Sequence, residues 1–316
     1  MSGLLPKHTL FDQLSACVAY GGVSISITLF NKAIFSTYHF TYPNLVTLGQ
    51  ILITLTLIRL LSARDYVEVS PMSRSALRKL FPLTVAWWIY VLSGVTALRY
   101  LSVPMYGLLR RGTTLAVVAG EYAMFGKVVS RNALGAIAIM MAGALIGVSN
   151  DLSFNPLGYL YIAVCCASTA LYLLLIRKLK GELRVNETTL LFYNNVLSLP
   201  IMVVYLLFFT NEVGSVLSFP HLTDVRFQAL YLVAASQGFL LNLCIFRCTT
   251  VNSPLTTNIT GMIKEVLTTA LGLVIFGDYV WNAKNVLGVV VGLAGGITYS
   301  AVGYAERHRK VKRNTI

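Results

Sequence analysis

Six ionisable side chains stand inside apolar stretches of this chain: Lys32, Arg110, Arg111, Glu121, Lys264 and Glu265. A charge at the centre of a membrane helix costs about 2.5 to 3.5 kcal/mol on insertion scales, so each is a functional candidate by default. Lys264 and Glu265 sit together in TTNITGMIKEVLTTALGLVIFG, residues 256–277. Neighbours on a helix point about 100° apart, so mutual attraction does not explain them. Steps of three and four from Lys264 reach Thr257, Gly261 and Thr268, while Glu265 shares its side with Asn258, Thr269 and Gly272. The result is one small, polar sector able to line an aqueous cavity. Arg110 and Arg111, in PMYGLLRRGTTLAVVAGEY, are flanked in the same way by Gly107, Thr113 and Thr114. Four positive charges against two negative ones favour an anion. Arg111, Lys32 and Glu121 have a second reading, snorkelling to an interface or bracing the bundle as ion pairs; Lys264 and Arg110 are the firmer site candidates.

A second polar group is LLFYNNVLSLP, in which Tyr193, Asn194 and Asn195 precede Pro200. Adjacent carboxamides offer donors and acceptors, and a tyrosine offers a ring face with a hydroxyl, a set that suits the edge and plane of a nucleobase. Asn pairs near helix ends also serve as caps or interhelical hydrogen bonds. Hydrolytic and metal chemistry are not supported. His8, His39, His221 and His308 fall in termini or loops. Cys17, Cys165, Cys166, Cys244 and Cys248 lie in apolar segments with no zinc-like spacing, and read as small packing residues. No metal, cofactor or catalytic residue is expected, and the chain is not expected to be an enzyme.

The elements that must carry these residues follow from composition. Of 316 residues, 56% are hydrophobic and 12% charged, and the mean hydropathy is +0.71. About 20 mostly apolar residues cross a bilayer, and such windows predict ten spans, near 11–35, 42–63, 78–98, 103–126, 131–149, 156–176, 187–208, 225–249, 254–276 and 282–304. The first is long, is interrupted by polar residues and has no small-residue cleavage site, so it is expected to stay as a helix. Pro43, Pro82, Pro104, Pro156 and Pro254 fall at or near predicted starts, where a missing N–H costs little.

When loops are assigned alternately to two sides, most of the 25 Lys and Arg residues collect on one of them. These include Arg74, Arg78 and Lys79, Arg177 to Arg184, and the basic tail from Arg307. The positive-inside rule then places both termini in the cytosol. The net charge of +13 is thereby a topology signal, and nucleic acid is not an expected partner. FGKVVSRNALGAIAIMMAGAL, from Phe125, and FGDYVWNAKNVLGVVVGLAGGI, from Phe276, share FG, a later N-x-L-G and a pair of small residues. Repeats of five helices each must have opposite orientation in the membrane, the inverted architecture of many secondary transporters with a site near the midplane. The expected fold is therefore an all-α polytopic membrane protein, ten transmembrane helices in two inverted five-helix repeats, 1–152 and 153–316. Gly143, Gly147, Gly288, Gly292 and Gly296 allow close helix contact, within the bundle first and across a homodimer second.

These residues resemble those of the nucleotide-sugar transporters of the drug/metabolite transporter superfamily. The resemblance runs through TLFNKAIFSTYHFTYPN, SVPMYGLLRR, DLSFNPLGYLY, FYNN, NSPLTTNITGMIKE and FGDY, nearly the whole chain. It implies residence in the Golgi membrane, or alternatively the endoplasmic reticulum membrane, and exchange of a cytosolic nucleotide sugar for a lumenal nucleoside monophosphate. GDP-mannose members carry FYNN, which contacts the nucleotide, and GALNK, which contacts sugar and phosphates. FYNN is intact here at Phe192 to Asn195, but GALNK is replaced by GMIKE, Gly261 to Glu265, with its Lys one position early. The N-S-x-L-T-T-x-I-x-G-x-I-K pattern is similar to the UDP-sugar subgroup instead. The resemblance thus implies a UDP-sugar, a UDP-N-acetylhexosamine foremost, exchanged for UMP. GDP-mannose with GMP, or a phosphorylated metabolite, is the alternative. The binding residues it implies are Lys264, Gly261, Glu265, Tyr193, Asn194, Asn195, Arg110, Lys32 and Asn258.

Overall fold

A computed structural model describes residues 9–101, 103–148, 155–276 and 283–313; the side chains of Lys32 and Glu265, and residues 277–279 of FGDY, lie outside the described residues. The described residues form twelve α-helices: α1 (Leu10–Thr37), α2 (Pro43–Ala63), α3 (Arg74–Tyr100), α4 (Val103–Leu109), α5 (Thr113–Phe125), α6 (Arg131–Val148), α7 (Pro156–Leu183), α8 (Glu187–Phe209), α9 (Glu212–Val216), α10 (Val225–Val251), α11 (Pro254–Phe276) and α12 (Ala283–Arg313). Seven of them, α1, α2, α3, α7, α8, α10 and α12, contain stretches long and apolar enough to cross a membrane, and α6 is a shorter apolar helix. The regular structure of the described residues is all helical, and the chain is a multi-pass membrane protein.

The starts have local causes. Thr9 and Asp12 close a capping box on α1, Pro43 opens α2 at a first-turn position, and the side chains of Asn186 and Asp224 cap α8 and α10. Tyr42 gives α2 no side-chain cap. Glu212 of α9 supplies the acceptor instead, taking hydrogen bonds from Leu45 N at 3.1 Å and Asn44 Nδ2 at 2.6 Å. Hydropathy marks where a helix leaves the hydrocarbon rather than where it ends, so α7 runs to Leu183 and α12 to Arg313, beyond the predicted spans.

Two expectations are corrected. Pro82 lies inside α3, which begins at Arg74. The predicted span 103–126 is not one helix: α4 ends at Leu109, a 3-10 turn takes Arg110–Gly112, and α5 begins at Thr113. Helix breaks at membrane depth are tolerated where neighbouring groups satisfy the backbone. Here the Cys166 thiol of α7 lies 3.8 Å from the Leu109 carbonyl and 3.7 Å from the Arg110 carbonyl, as a weak donor to both.

The helices pack in two compact units, residues 1–85 with 175–253, and 86–174 with 254–316. In the first, α1 lies on α10, α10 on α2, and α2 on α8. Ile34, Phe40, Val46, Phe227 and Ala234 form a core there, ringed by Tyr38, Tyr42, Phe219 and Tyr231. In the second, α12 lies on α6 and α11 on α5, with a core of Ala97, Leu101, Met105, Ile162, Cys165 and Cys166. Each unit draws on both halves of the sequence.

Candidate functional site

Arg110, Asn258, Gly261 and Lys264 fall in the second unit, and Tyr193, Asn194 and Asn195 in the first. In the second unit the 3-10 turn presents two consecutive guanidiniums that meet different fates. Arg110 is half-buried and donates from Nη1 to the Tyr106 hydroxyl at 3.1 Å. Its guanidinium carbon stands 5.7 Å from the Tyr106 ring centroid, within cation–π range. The Tyr106 oxygen lies 3.9 Å from Cys165 Sγ. Gly94 makes room for both, since a Cβ there would stand 3.0 Å from that oxygen and 3.3 Å from the sulfur. Arg111 is 6% exposed and donates to the Gly288 carbonyl at 2.9 Å. Its Nη1 occupies the space that a Cβ on Gly292 would need. Arg111 thus ties the turn to α12.

Asn258 of α11 donates from Nδ2 to Thr114 Oγ1 of α5 at 2.9 Å, and the Thr114 hydroxyl donates to Met262 Sδ at 3.2 Å. These contacts fix one side of α11 against α5. Lys264 stands a third of a turn away from that side, half-buried, on the face it shares with buried Thr257 and Gly261. The Glu121 carboxylate, fully buried, accepts from Lys127 Nζ at 2.6 Å. It braces the end of α5.

The first unit holds the FYNN tetrad by contacts within the protein. Tyr193 accepts a hydrogen bond from Met72 N at 3.2 Å, and buried Asn194 accepts from Thr84 Oγ1 at 3.0 Å. Buried Asn195 donates to the Leu191 carbonyl one turn back at 2.8 Å. The Arg59 guanidinium lies 4.9 Å over the Phe192 ring. A cavity of about 490 Å³ also belongs to this unit, lined by Leu206, Leu207, Thr210, Asn211, Val213, Gly214 and Ser215. It has no charged side chain among its walls to hold a phosphate.

Two further residues serve the site: Tyr106 positions Arg110, and Cys166, expected as a small packing residue, satisfies the break. The signal for Tyr106 was present, an aromatic ring at i−4 from an arginine, the spacing that places two side chains on one helix face. No local signal marks Cys166, whose partners come from another helix.

The sequence model of the Triose-phosphate Transporter family matches residues 13–300. A UDP-galactose/UDP-glucose transporter of Arabidopsis thaliana is 32% identical over 301 residues, 94% of this chain and 92% of that protein. A UDP-N-acetylglucosamine transporter of the same plant is 30% identical over 297 residues, 90% of this chain and 86% of that protein. A crystal structure superimposes with a TM-score of 0.67 at 15% identity, over 91% of this chain and 99% of its own. That match shows the fold.

Proposed function

The chain belongs to the Triose-phosphate Transporter family, and from that premise we propose that it carries a nucleotide sugar, exchanging a cytosolic UDP-sugar, UDP-N-acetylhexosamines foremost, for lumenal UMP. The observation that carries this is the pair of cationic side chains in one packing unit, Lys264 on α11 and Arg110 on the broken α4–α5 element, with α11 pinned to α5 through Asn258 and Thr114. A UDP-sugar and UMP each carry about two negative charges near neutral pH, so both suit one cationic site in turn. Lys264 and Arg110 meet the phosphates, and Gly261 lets the ligand approach the helix backbone. The UDP-sugar transporters among its relatives support the choice of base. The intact FYNN tetrad favours GDP-mannose as the second reading.

The pairing of helices supports the inverted repeat. With α4 and α5 counted as one span and α9 as part of a loop, each span's counterpart lies five further on. The pairs α2 with α8, α5 with α11, and α6 with α12 are then helices packed on their own counterparts, an arrangement that a two-fold axis between the halves allows for helices beside it. The pair α1 with α10 has as its counterpart α7 with α3, and these meet where Cys165 Sγ approaches the Tyr90 carbonyl at 3.5 Å. The Golgi membrane, with both termini cytosolic, suits exchange of a cytosolic substrate for a lumenal product.

Uptake into liposomes decides the substrate. Protein reconstituted into vesicles preloaded with UMP is expected to take up labelled UDP-N-acetylglucosamine much faster than vesicles without UMP. Uptake of GDP-mannose alone from a panel of nucleotide sugars would reverse the assignment of the base and leave the transporter class standing.

A further inference from the structure

The segment between α2 and α3 lies along one face of α8, and the contacts are in register. Asn186 Nδ2 donates to the Glu68 carbonyl at 2.8 Å, Ser70 N donates to Thr189 Oγ1 at 3.1 Å, and Met72 N donates to Tyr193 Oη at 3.2 Å. Positions 186, 189 and 193 fall on one helical stripe, and they meet positions 68, 70 and 72 of a non-helical run. The lengths agree. Seven residues of helix rise about 10.5 Å, and four residues of extended chain reach about 13 to 14 Å. Pro71 explains the alternation. It has no N–H to donate, and it biases Ser70 before it toward extended backbone. The contacts engage both ends of the Asn186 amide, whose Oδ1 caps α8 at Thr189 N, and one residue beyond Tyr193 the carboxamide of Asn194 is held by Thr84 of α3.

We infer that Asn186, Thr189 and Tyr193 form a clasp that seats the α2–α3 connection on α8, so that Tyr193 acts as a positioning residue in the transport cycle and not as a reader of the nucleobase. The clasp sets where α3 begins. Because α3 contributes 74–85 to the first unit and 86–100 to the second, its starting position matters to both. A loosened clasp slows the cycle without changing what the phosphate site binds. The transport half of this inference rests on the nucleotide-sugar reading; the contact itself does not.

Hydrogen–deuterium exchange and uptake, both on the full-length protein in lipid, test it together. Tyr193→Phe removes the oxygen that accepts from Met72 N, and Thr189→Val removes the one that accepts from Ser70 N. The net worth of a neutral hydrogen bond corresponds to about fivefold in an opening equilibrium, so amide exchange in the 68–73 segment should rise by about that factor in each variant. Uptake should show a lower maximal rate with an unchanged half-saturation concentration. Thr189 is no candidate for ligand contact, so its variant carries the test even if Tyr193→Phe fails to fold. Unchanged exchange in the segment, with a raised half-saturation concentration in Tyr193→Phe, would make Tyr193 a ligand contact and overturn the clasp. If no nucleotide sugar is carried, the exchange measurement still decides whether the clasp exists.

Discussion

Arg110 and Arg111 are adjacent in sequence, yet one is half-buried against Tyr106 and the other is 6% exposed and bonded to a backbone carbonyl of α12. A guanidinium held as Arg111 is belongs to packing, and its removal would disturb the fold. Lys264 is the residue whose loss should separate binding from folding. It is half-buried on the polar face of α11 that Thr257 and Gly261 share, and the helix is fixed by Asn258 on a different side. Lys264→Met should therefore fold and reach the membrane. Losing one partner of a desolvated charged contact costs about 2 to 5 kcal/mol, so affinity for both UDP-sugar and UMP should fall by about thirtyfold or more. Ligand-induced shifts in melting temperature measure both affinities on the same sample. A folded Lys264→Met protein that binds UMP like the parent would remove Lys264 from the site.

At the scale of helices, α6 and α12 approach each other backbone to backbone. A Cβ on Gly143 would stand 2.5 Å from Gly292 N and 2.6 Å from the Gly288 carbonyl oxygen, and one on Gly295 would stand 2.7 Å from Met140 N. Backbone cannot step aside as a flexible side chain can. Two effects of Gly143→Ala then oppose each other. Alanine favours a helix by about 0.8 to 1 kcal/mol over glycine, and overpacking costs about 1 to 3 kcal/mol. The clash should win and lower the melting temperature in detergent. Gly135, on the same helix, has open space where its Cβ would go, so Gly135→Ala should be neutral or stabilising. Equal behaviour of the two variants would mean that α6 and α12 are not in backbone contact. The glycines act within the chain here, since Arg111 and α6 already fill the space beside Gly288 and Gly292.

For the molecule as a whole, a sequon tests the orientation in the membrane. Asn186, the N-cap of α8, forms N-x-T with Glu187 and Thr188 of its first turn. Arg177, Lys178 and Lys180 near the end of α7 and Arg184 just beyond it form a basic cluster beside Asn186, so the proposed orientation, with both termini cytosolic, expects this end of the helices on the cytosolic side. The structure adds a second obstacle, because Asn186 Nδ2 is bonded to the Glu68 carbonyl. Asn258, in the other sequon, is inside α11 and bonded to Thr114. Glycosidase treatment of protein made in a eukaryotic host should leave its gel mobility unchanged. A mobility shift that disappears in Asn186→Gln would put that loop in the lumen and reverse the termini.

The helices were legible in the sequence because hydrocarbon leaves the backbone few alternatives. Each N–H and C=O must be satisfied within its own segment, so apolar length and flanking turn residues alone located the elements, with α2, α8 and α11 matching the predicted spans to within a residue. The candidate phosphate residues were legible for the same reason: an ammonium or a guanidinium in such a run stands out by its cost. What each charge does was not written locally. The 3-10 turn at Arg110–Gly112, the seat of Arg111 on α12 and the engagement of the FYNN side chains depend on groups brought together from other segments. The interleaving of the halves into two packing units is likewise tertiary. Apolar faces look alike to a periodicity, and only the fit of particular glycines, sulfurs and hydroxyls across helices chooses which of them meet.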